Sequence, residues 1–214
     1  MTMRVLLLAA SMLVTAGASV LNSASAPDAT IVVRTYDYTI GAAADLADAR
    51  VEAARIFRSA GIAIQWVACR VPTNPDGEAC TEPLAAGRDL MLRLIDRTPA
   101  DGSTAARAVA LGESILDRGQ RGGVLMTIDL FPIRRIAAGS GTPLATLTGR
   151  AIAHEIGHLL LGTPDHSALG LMRPFWSRDE LRGLRPAHWG FSSKEAARMR
   201  KSMARRRAGA ITGD

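Results

Sequence analysis

The sequence predicts a single domain of the α+β (or α/β) class, in which several strands and a helix precede a long helix that carries a histidine motif. Three observations lead to this prediction. A length of 214 residues suits one domain with a sizeable hydrophobic core. After an apolar N-terminal stretch, the body begins with a strand–helix–strand pattern. A long apolar helix further along carries two of the four histidines in the chain, and a third follows directly.

Residues 1–26 have the pattern of a secretory signal peptide, with a short basic start and an apolar run over 5–21. Small residues offer two cleavage points, after Ala18 and after Ala26. We expect cleavage after Ala18, because Pro27 would hinder the second site. The alternative is an uncleaved N-terminal anchor. Either interpretation predicts that the body of the protein is secreted or periplasmic.

The first elements of the body form a β-α-β unit. Residues 30–39 are rich in β-branched and aromatic side chains and predict a strand. Residues 43–61 show helical apolar spacing and stop at Gly61. Residues 62–69 predict a second strand, which should lie parallel to the first because a helix connects them.

Three further strands are expected after a loop. Residues 89–96 alternate apolar and polar side chains, 107–116 is a weaker candidate, and 122–131 is a stronger one. The last of these should run into a short helix that ends near Gly139.

The main helix is predicted to begin with Thr142 as its N-cap and Pro143 at its first position. It should continue to Leu161, because Gly162 can adopt the left-handed conformation that ends helices. The chain after it is predicted to be mostly helical.

Cys69 and Cys80 flank a loop rich in Pro, Asn, Asp and Gly. In an oxidising compartment such a pair is expected to form a disulfide, and a loop of this size gains about 3 kcal/mol in stability from closure. The pair lacks the close spacing typical of zinc-binding cysteines.

The net charge of +6 is concentrated at the C-terminal end. Residues 173–214 contain 11 basic and 4 acidic residues, whereas 27–172 contain 14 and 16. We interpret 192–214 as a basic, solvated and partly frayed helix that makes at most weak contact with an anionic surface. It has no aromatic residues and resembles no nucleic-acid-binding module, so no specific nucleic-acid partner is expected. The oligomeric state is left open.

The sequence "HEIGH" places His154 and His158 four residues apart, on one face of the predicted helix. Two imidazoles at this spacing can reach a single metal ion. Glu155 lies beside them and is placed to take a proton from a metal-activated water. This pattern therefore predicts a zinc site with a general base.

Residues 153–172 resemble the zinc-binding motif of the metzincin metalloproteases, in which a glycine and a third histidine follow the helix and a methionine-containing turn comes next. The resemblance implies one catalytic zinc ion held by His154, His158 and His166, with Glu155 as general base and Met172 as the Met-turn residue. It also implies a single metzincin-like domain over 27–191, built on a twisted mixed β-sheet with a backing helix and an active-site helix.

The same resemblance implies an endopeptidase whose substrate is a peptide or protein, held against an antiparallel edge strand. Residues 107–116 are the candidate for that strand. The alternative from another functional class is a catalytically silent protein that keeps the metalloprotease fold to bind a metal or a partner.

The motif departs from the metzincin pattern by two single-residue additions. Gly162 follows His158 by four residues instead of three, and His166 follows Gly162 by four. The additions can compensate if the chain returns by a longer path. Snapalysin-like secreted proteases use an aspartate in the third position, so Asp165 is an alternative third ligand.

Glu180 is a weaker alternative, as the distant third ligand of a gluzincin-like site. It already fits a capping box with Ser177, and Ser192 and Glu195 form a second such pattern.

Overall fold

The computed structural model confirms the predicted class: a mixed sheet with helices packed on it forms one domain. The predicted signal peptide over 1–26 lies outside the residues that the structure describes, and within the described part no helix is long and apolar enough to cross a membrane. The structure describes residues 29–39, 43–69, 78–85, 87–97, 110–117, 122–183 and 189–211.

Five strands form the sheet, in the order β2-β1-β3-β5-β4. The strands β1, β2, β3 and β5 are parallel, and β4 pairs antiparallel with β5 at the edge of the sheet. The β-α-β prediction and the antiparallel edge strand are therefore confirmed. The strands are β1 (Ala29–Asp37), β2 (Ile62–Cys69), β3 (Asp89–Ile95), β4 (Gly112–Asp117) and β5 (Gly122–Asp129).

The described residues form six helices in addition to the sheet. Helix α4 lies at the centre of the domain and contacts α1, α3, α6, β4 and β5. The helices are α1 (Ala43–Ser59), α2 (Glu78–Thr81), α3 (Leu130–Ser140), α4 (Leu144–Leu161), α5 (Arg178–Arg182) and α6 (Ser193–Ile211).

Every residue of α4 from Leu147 to Leu160 is buried, as expected of a helix that is apolar on nearly all sides. Gly149 allows α1 to approach closely, because a Cβ atom there would lie 2.6 Å from the Ala49 carbonyl oxygen. The close contact fixes α4, and with it the histidine motif, against the core.

The start of α4 differs by one residue from the prediction. Pro143 is the N-cap itself, and no side chain caps the helix. The hydroxyl of Thr142, the predicted N-cap, instead donates to the Leu181 carbonyl oxygen at 3.0 Å. The predicted end is confirmed, since Gly162 has a φ of 65° and its N–H donates to the His158 carbonyl oxygen.

The predicted disulfide is present between Cys69 and Cys80, whose Cα atoms are 5.7 Å apart. It ties the end of β2 to the short helix α2.

The C-terminal segment is helical as predicted, but it is not a solvated tail. One face of α6 is buried in the hydrophobic core of the domain through Ala196, Met199 and Met203. These residues recur at intervals of three and four, so they form one apolar face of the helix. The segment is rich in arginine, and its composition alone therefore does not indicate this apolar face.

Candidate metal centre

Three histidine side chains come together at the C-terminal half of α4. His154 and His158 lie one turn apart on the same face of the helix, and both are less than 10% exposed. After Gly162 the chain turns back and brings the exposed His166 beside them. One nitrogen atom from each ring lies within 4.8 Å of the other two.

Backbone carbonyl groups orient the two buried rings. The Nδ1 atom of His154 lies 3.0 Å from the Leu171 carbonyl oxygen, and that of His158 lies 2.8 Å from the Thr163 carbonyl oxygen. A carbonyl oxygen can only accept, so each Nδ1 carries the proton and donates. Each ring then presents a lone pair on Nε2, and the two Nε2 atoms are 3.0 Å apart.

This arrangement favours a bound cation. Burial lowers the pKa of His154 to about 4, despite the hydrogen bond from the ring to Leu171, and burial likewise lowers the pKa of His158. Both rings are therefore neutral near pH 7. Two facing lone pairs at 3.0 Å repel each other unless a positive ion lies beside them. Neutral imidazoles whose other nitrogen donates to a carbonyl are the usual zinc ligands in proteins, so these residues fit a zinc ion.

The two alternative third ligands are engaged elsewhere. Asp165 is exposed, and its carboxylate accepts from the Thr163 hydroxyl at 2.7 Å. Glu180 forms the predicted capping box of α5 with Ser177 and an ion pair with Arg173. Among the described residues, the group that could hold a metal consists of the three histidines.

Met172 lies beneath the centre and is 1% exposed. Its turn is held by two backbone hydrogen bonds, from Ser167 N to Met172 O at 2.8 Å and from Leu171 N to Gly190 O at 3.0 Å. The Met172 thioether packs against Gly157, where a Cβ atom would lie 2.6 Å from Sδ. The glycine in "HEIGH" thus makes room for the methionine below the ligands.

Glu155 is 8% exposed, and its carboxyl group contacts the edge strand β4. The Ser114 hydroxyl on β4 lies 2.6 Å from its Oε2 atom and 2.9 Å from its backbone carbonyl oxygen. Burial raises the pKa of Glu155 to about 7 and nearby Glu113 adds to the rise, although the Ser114 hydrogen bond opposes it. A carboxyl group with such a pKa can both take and return a proton near neutral pH.

A cleft of about 690 Å³ runs past the histidines and Glu155. Its lining includes residues of the edge strand β4 and of the segment that follows Met172. Much of the lining consists of apolar side chains. They include Leu111, Leu116, Ile136, Pro174, Phe175 and Trp176.

Two residues of the site were not identified from the sequence. Ser114 lies within the predicted edge strand, but nothing in the sequence marks it as the partner of Glu155. Glu195 was explained by its capping box alone. The structure adds a second role, because its Oε1 atom accepts from the Ser167 hydroxyl at 2.5 Å while Oε2 accepts from Ser192. Since Ser167 follows His166 directly, Glu195 anchors the third-histidine loop to α6.

Comparison with known proteins finds similarity among solved structures. No protein-family profile matches the chain, and no curated protein matches it. Among solved structures, it is similar to the crystal structure of archaemetzincin from Methanopyrus kandleri, with 12% sequence identity and a TM-score of 0.48. The similarity covers 87% of this chain and 99% of that one.

Proposed function

We propose that this protein is an exported, zinc-dependent endopeptidase. The observation that carries the proposal is the pair of Nε2 atoms 3.0 Å apart, on two rings whose Nδ1 atoms face carbonyl oxygens, with His166 beside them. Such a pair is electrostatically unfavourable without a cation, and the buried Glu155 carboxyl group lines the same cleft.

His154, His158 and His166 would hold one zinc ion. When bound, zinc acts as a Lewis acid toward a carbonyl oxygen and lowers the pKa of water toward 7. Leu171 and Thr163 contribute through their carbonyl oxygens, which fix the tautomer of the two buried rings. Loss of such outer contacts typically lowers metal affinity 10- to 100-fold.

Glu155 would act as the general base. Its carboxylate takes a proton from the attacking water and returns it to the leaving amine, which requires a pKa near neutrality. Burial provides that pKa. Ser114 holds Oε2 and leaves Oε1 for the proton transfer.

The edge strand β4 would bind the substrate. It is the last strand in the sheet order, so its outer backbone groups are free of strand partners among the described residues. An extended peptide can pair with such an edge through main-chain hydrogen bonds, while pockets in the cleft receive its side chains. This mode of binding suits a peptide or protein substrate.

Export is proposed from the signal-peptide pattern in residues 1–26. The disulfide between Cys69 and Cys80 supports it, because structural disulfides persist mainly in oxidising compartments.

The test compares the wild type with Glu155→Gln. We expect both proteins to bind one zinc ion per chain, and the variant to lose at least 100-fold in kcat/KM on a broad peptide panel. Equal zinc content shows that the centre is intact. Absence of stoichiometric zinc in the wild type would contradict the proposal. A zinc-loaded wild type that cleaves no peptide would favour the catalytically silent alternative.

A further inference from the structure

The basic residues of α6 fall into two groups, and the first is structural. Three arginines donate to backbone carbonyl oxygens of the domain, and two of these oxygens lie at or just beyond the C-terminal end of a helix. These three arginines thus interact with carbonyl dipoles inside the domain. The contacts are Arg200 with Ala60 at 2.5 Å, Arg207 with Thr30 at 2.7 Å, and Arg206 with both Gly123 and Leu159.

The second group consists of Lys194, Arg198, Lys201 and Arg205, which we call the α6 stripe. All four side chains are exposed, and none has an ion pair or hydrogen bond within the described residues. Their spacing of four, three and four residues places them within an arc of about 60° on the helix, in a row about 16 Å long.

No acidic side chain of α6 lies within the stripe. The acidic residue of the helix, Glu195, is buried and already binds Ser167 and Ser192. Four like charges in a row repel one another weakly, and within the described residues they form no contact that would stabilise the fold. Their arrangement is complementary to an anionic surface.

We propose that the α6 stripe docks the protein on an anionic phospholipid membrane. The opposite face of α6 is packed in the core, so the helix can present one side only. A flat bilayer surface contacts a helix on one side only, whereas a nucleic-acid groove encloses a helix on several sides.

The composition of α6 also favours lipid headgroups over bases. The helix contains no aromatic residue for stacking and no Asn or Gln for reading base edges. Ala197, Ala204 and Ala208 are exposed on the helix, and such small side chains cannot anchor it in the acyl region. The contact is therefore electrostatic and confined to headgroups.

The size of the effect follows from membrane electrostatics. Each lysine or arginine near a surface rich in acidic lipid contributes about fivefold to the partition coefficient. Neutralising two residues of the stripe should therefore weaken binding about 30-fold. Because the Debye length falls to about 3 Å at 1 M salt, high salt should abolish the interaction.

The experiment measures sedimentation of the mature chain, from Ser19 onward, with vesicles of phosphatidylcholine alone or mixed with 30% phosphatidylglycerol. The test variant is Arg198→Gln/Lys201→Gln. The control is Arg58→Gln/Arg178→Gln, which removes the same charge from exposed arginines on α1 and α5. Leaving out the apolar signal segment ensures that vesicle binding reports on the folded domain.

We expect the wild type and the control to prefer the anionic vesicles, and the test variant to lose about 30-fold of that preference. Equal losses in the two variants would refute the stripe, because net charge alone would then explain binding. No preference of the wild type for anionic vesicles would also refute it. Tighter binding to duplex DNA than to the vesicles at the same ionic strength would assign the stripe to nucleic acid instead.

Discussion

Gly157 provides a direct test of the packing beneath the metal centre. In Gly157→Ala the new methyl carbon would lie 2.6 Å from Met172 Sδ and 2.9 Å from Phe191 Cε1, whereas ordinary contacts begin at 3.4 Å. The methyl group is thus about 0.8 Å too close to the sulfur. Met172 is 1% exposed, so a movement of its side chain must displace buried neighbours.

The expected magnitude combines two opposing effects. Replacing a helical glycine by alanine stabilises a helix by about 1 kcal/mol, and overpacking a core costs about 1–3 kcal/mol. Gly139→Ala in α3 is the matched control, because its Cβ atom would meet only Arg178 at 3.7 Å. We expect Gly139→Ala to gain stability and Gly157→Ala to lose it, with a difference of about 2 kcal/mol between them.

Urea unfolding of both variants measures this difference, which corresponds to about 4–8 °C in Tm for a chain of this size. Gly157→Ala should also bind zinc more weakly, because Leu171, next to the displaced Met172, holds the His154 ring. If Gly157→Ala is as stable as Gly139→Ala and binds zinc normally, Met172 does not pack beneath the ligands as described.

Three other outcomes are expected. Glu195→Gln should lower zinc affinity up to tenfold in a chelator competition. Ser192→Ala removes the capping hydroxyl but keeps the Ser192 N–H bond to Glu195 Oε2, so it should cost about 1 kcal/mol of stability and leave zinc affinity unchanged. Equal effects of the two variants on zinc affinity would refute the anchoring role. Burial tends to raise the pKa of Asp89, but hydrogen bonds from the Ala85 backbone and from Arg34 outweigh it and lower that pKa below its usual 3.8. The ionised Asp89 therefore stabilises the folded state above about pH 4, and this stabilisation is lost on further acidification. Urea unfolding at pH 5 and pH 3 should show a smaller decrease in the free energy of unfolding for Asp89→Asn than for the wild type. Removal of zinc with a chelator should lower Tm, by an amount that grows with the zinc concentration of the reference sample, and an unchanged Tm would contradict binding to the folded state.

The ligand helix could be predicted from the sequence because its determinants are local. The spacing of His154 and His158, the apolar residues around them and Gly162 at the end all act within a few turns of one helix. The same holds for the disulfide and for the parallel β-α-β unit, which depend on short connections. Local signals of this kind do not require knowledge of the tertiary fold.

The contacts that complete the site join distant parts of the chain and could not be predicted. Ser114 and Glu155 are 41 residues apart, and Ser167 and Glu195 are 28 apart. Arg150 lies 3.8 Å from the ring centroid of Trp189, a contact that only tertiary packing creates. Such pairs depend on which faces of strands and helices meet, and side-chain spacing along the sequence does not determine that.

The C-terminal helix shows how composition can mislead. Its arginines and lysines suggested a solvated segment, because charged residues usually face water. Arginine can, however, bury its stem and donate from its tip, as Arg206 does against Gly123. Burial of this arginine accordingly lowers its pKa.

The central claim is that three histidines hold one zinc ion beside Glu155. Anomalous diffraction at the zinc edge, from crystals of the zinc-loaded protein, tests it most directly. We predict a single strong peak about 2.0–2.1 Å from one nitrogen of each of His154, His158 and His166. A peak bound by Asp165 in place of His166, or no peak at this centre, would contradict the account.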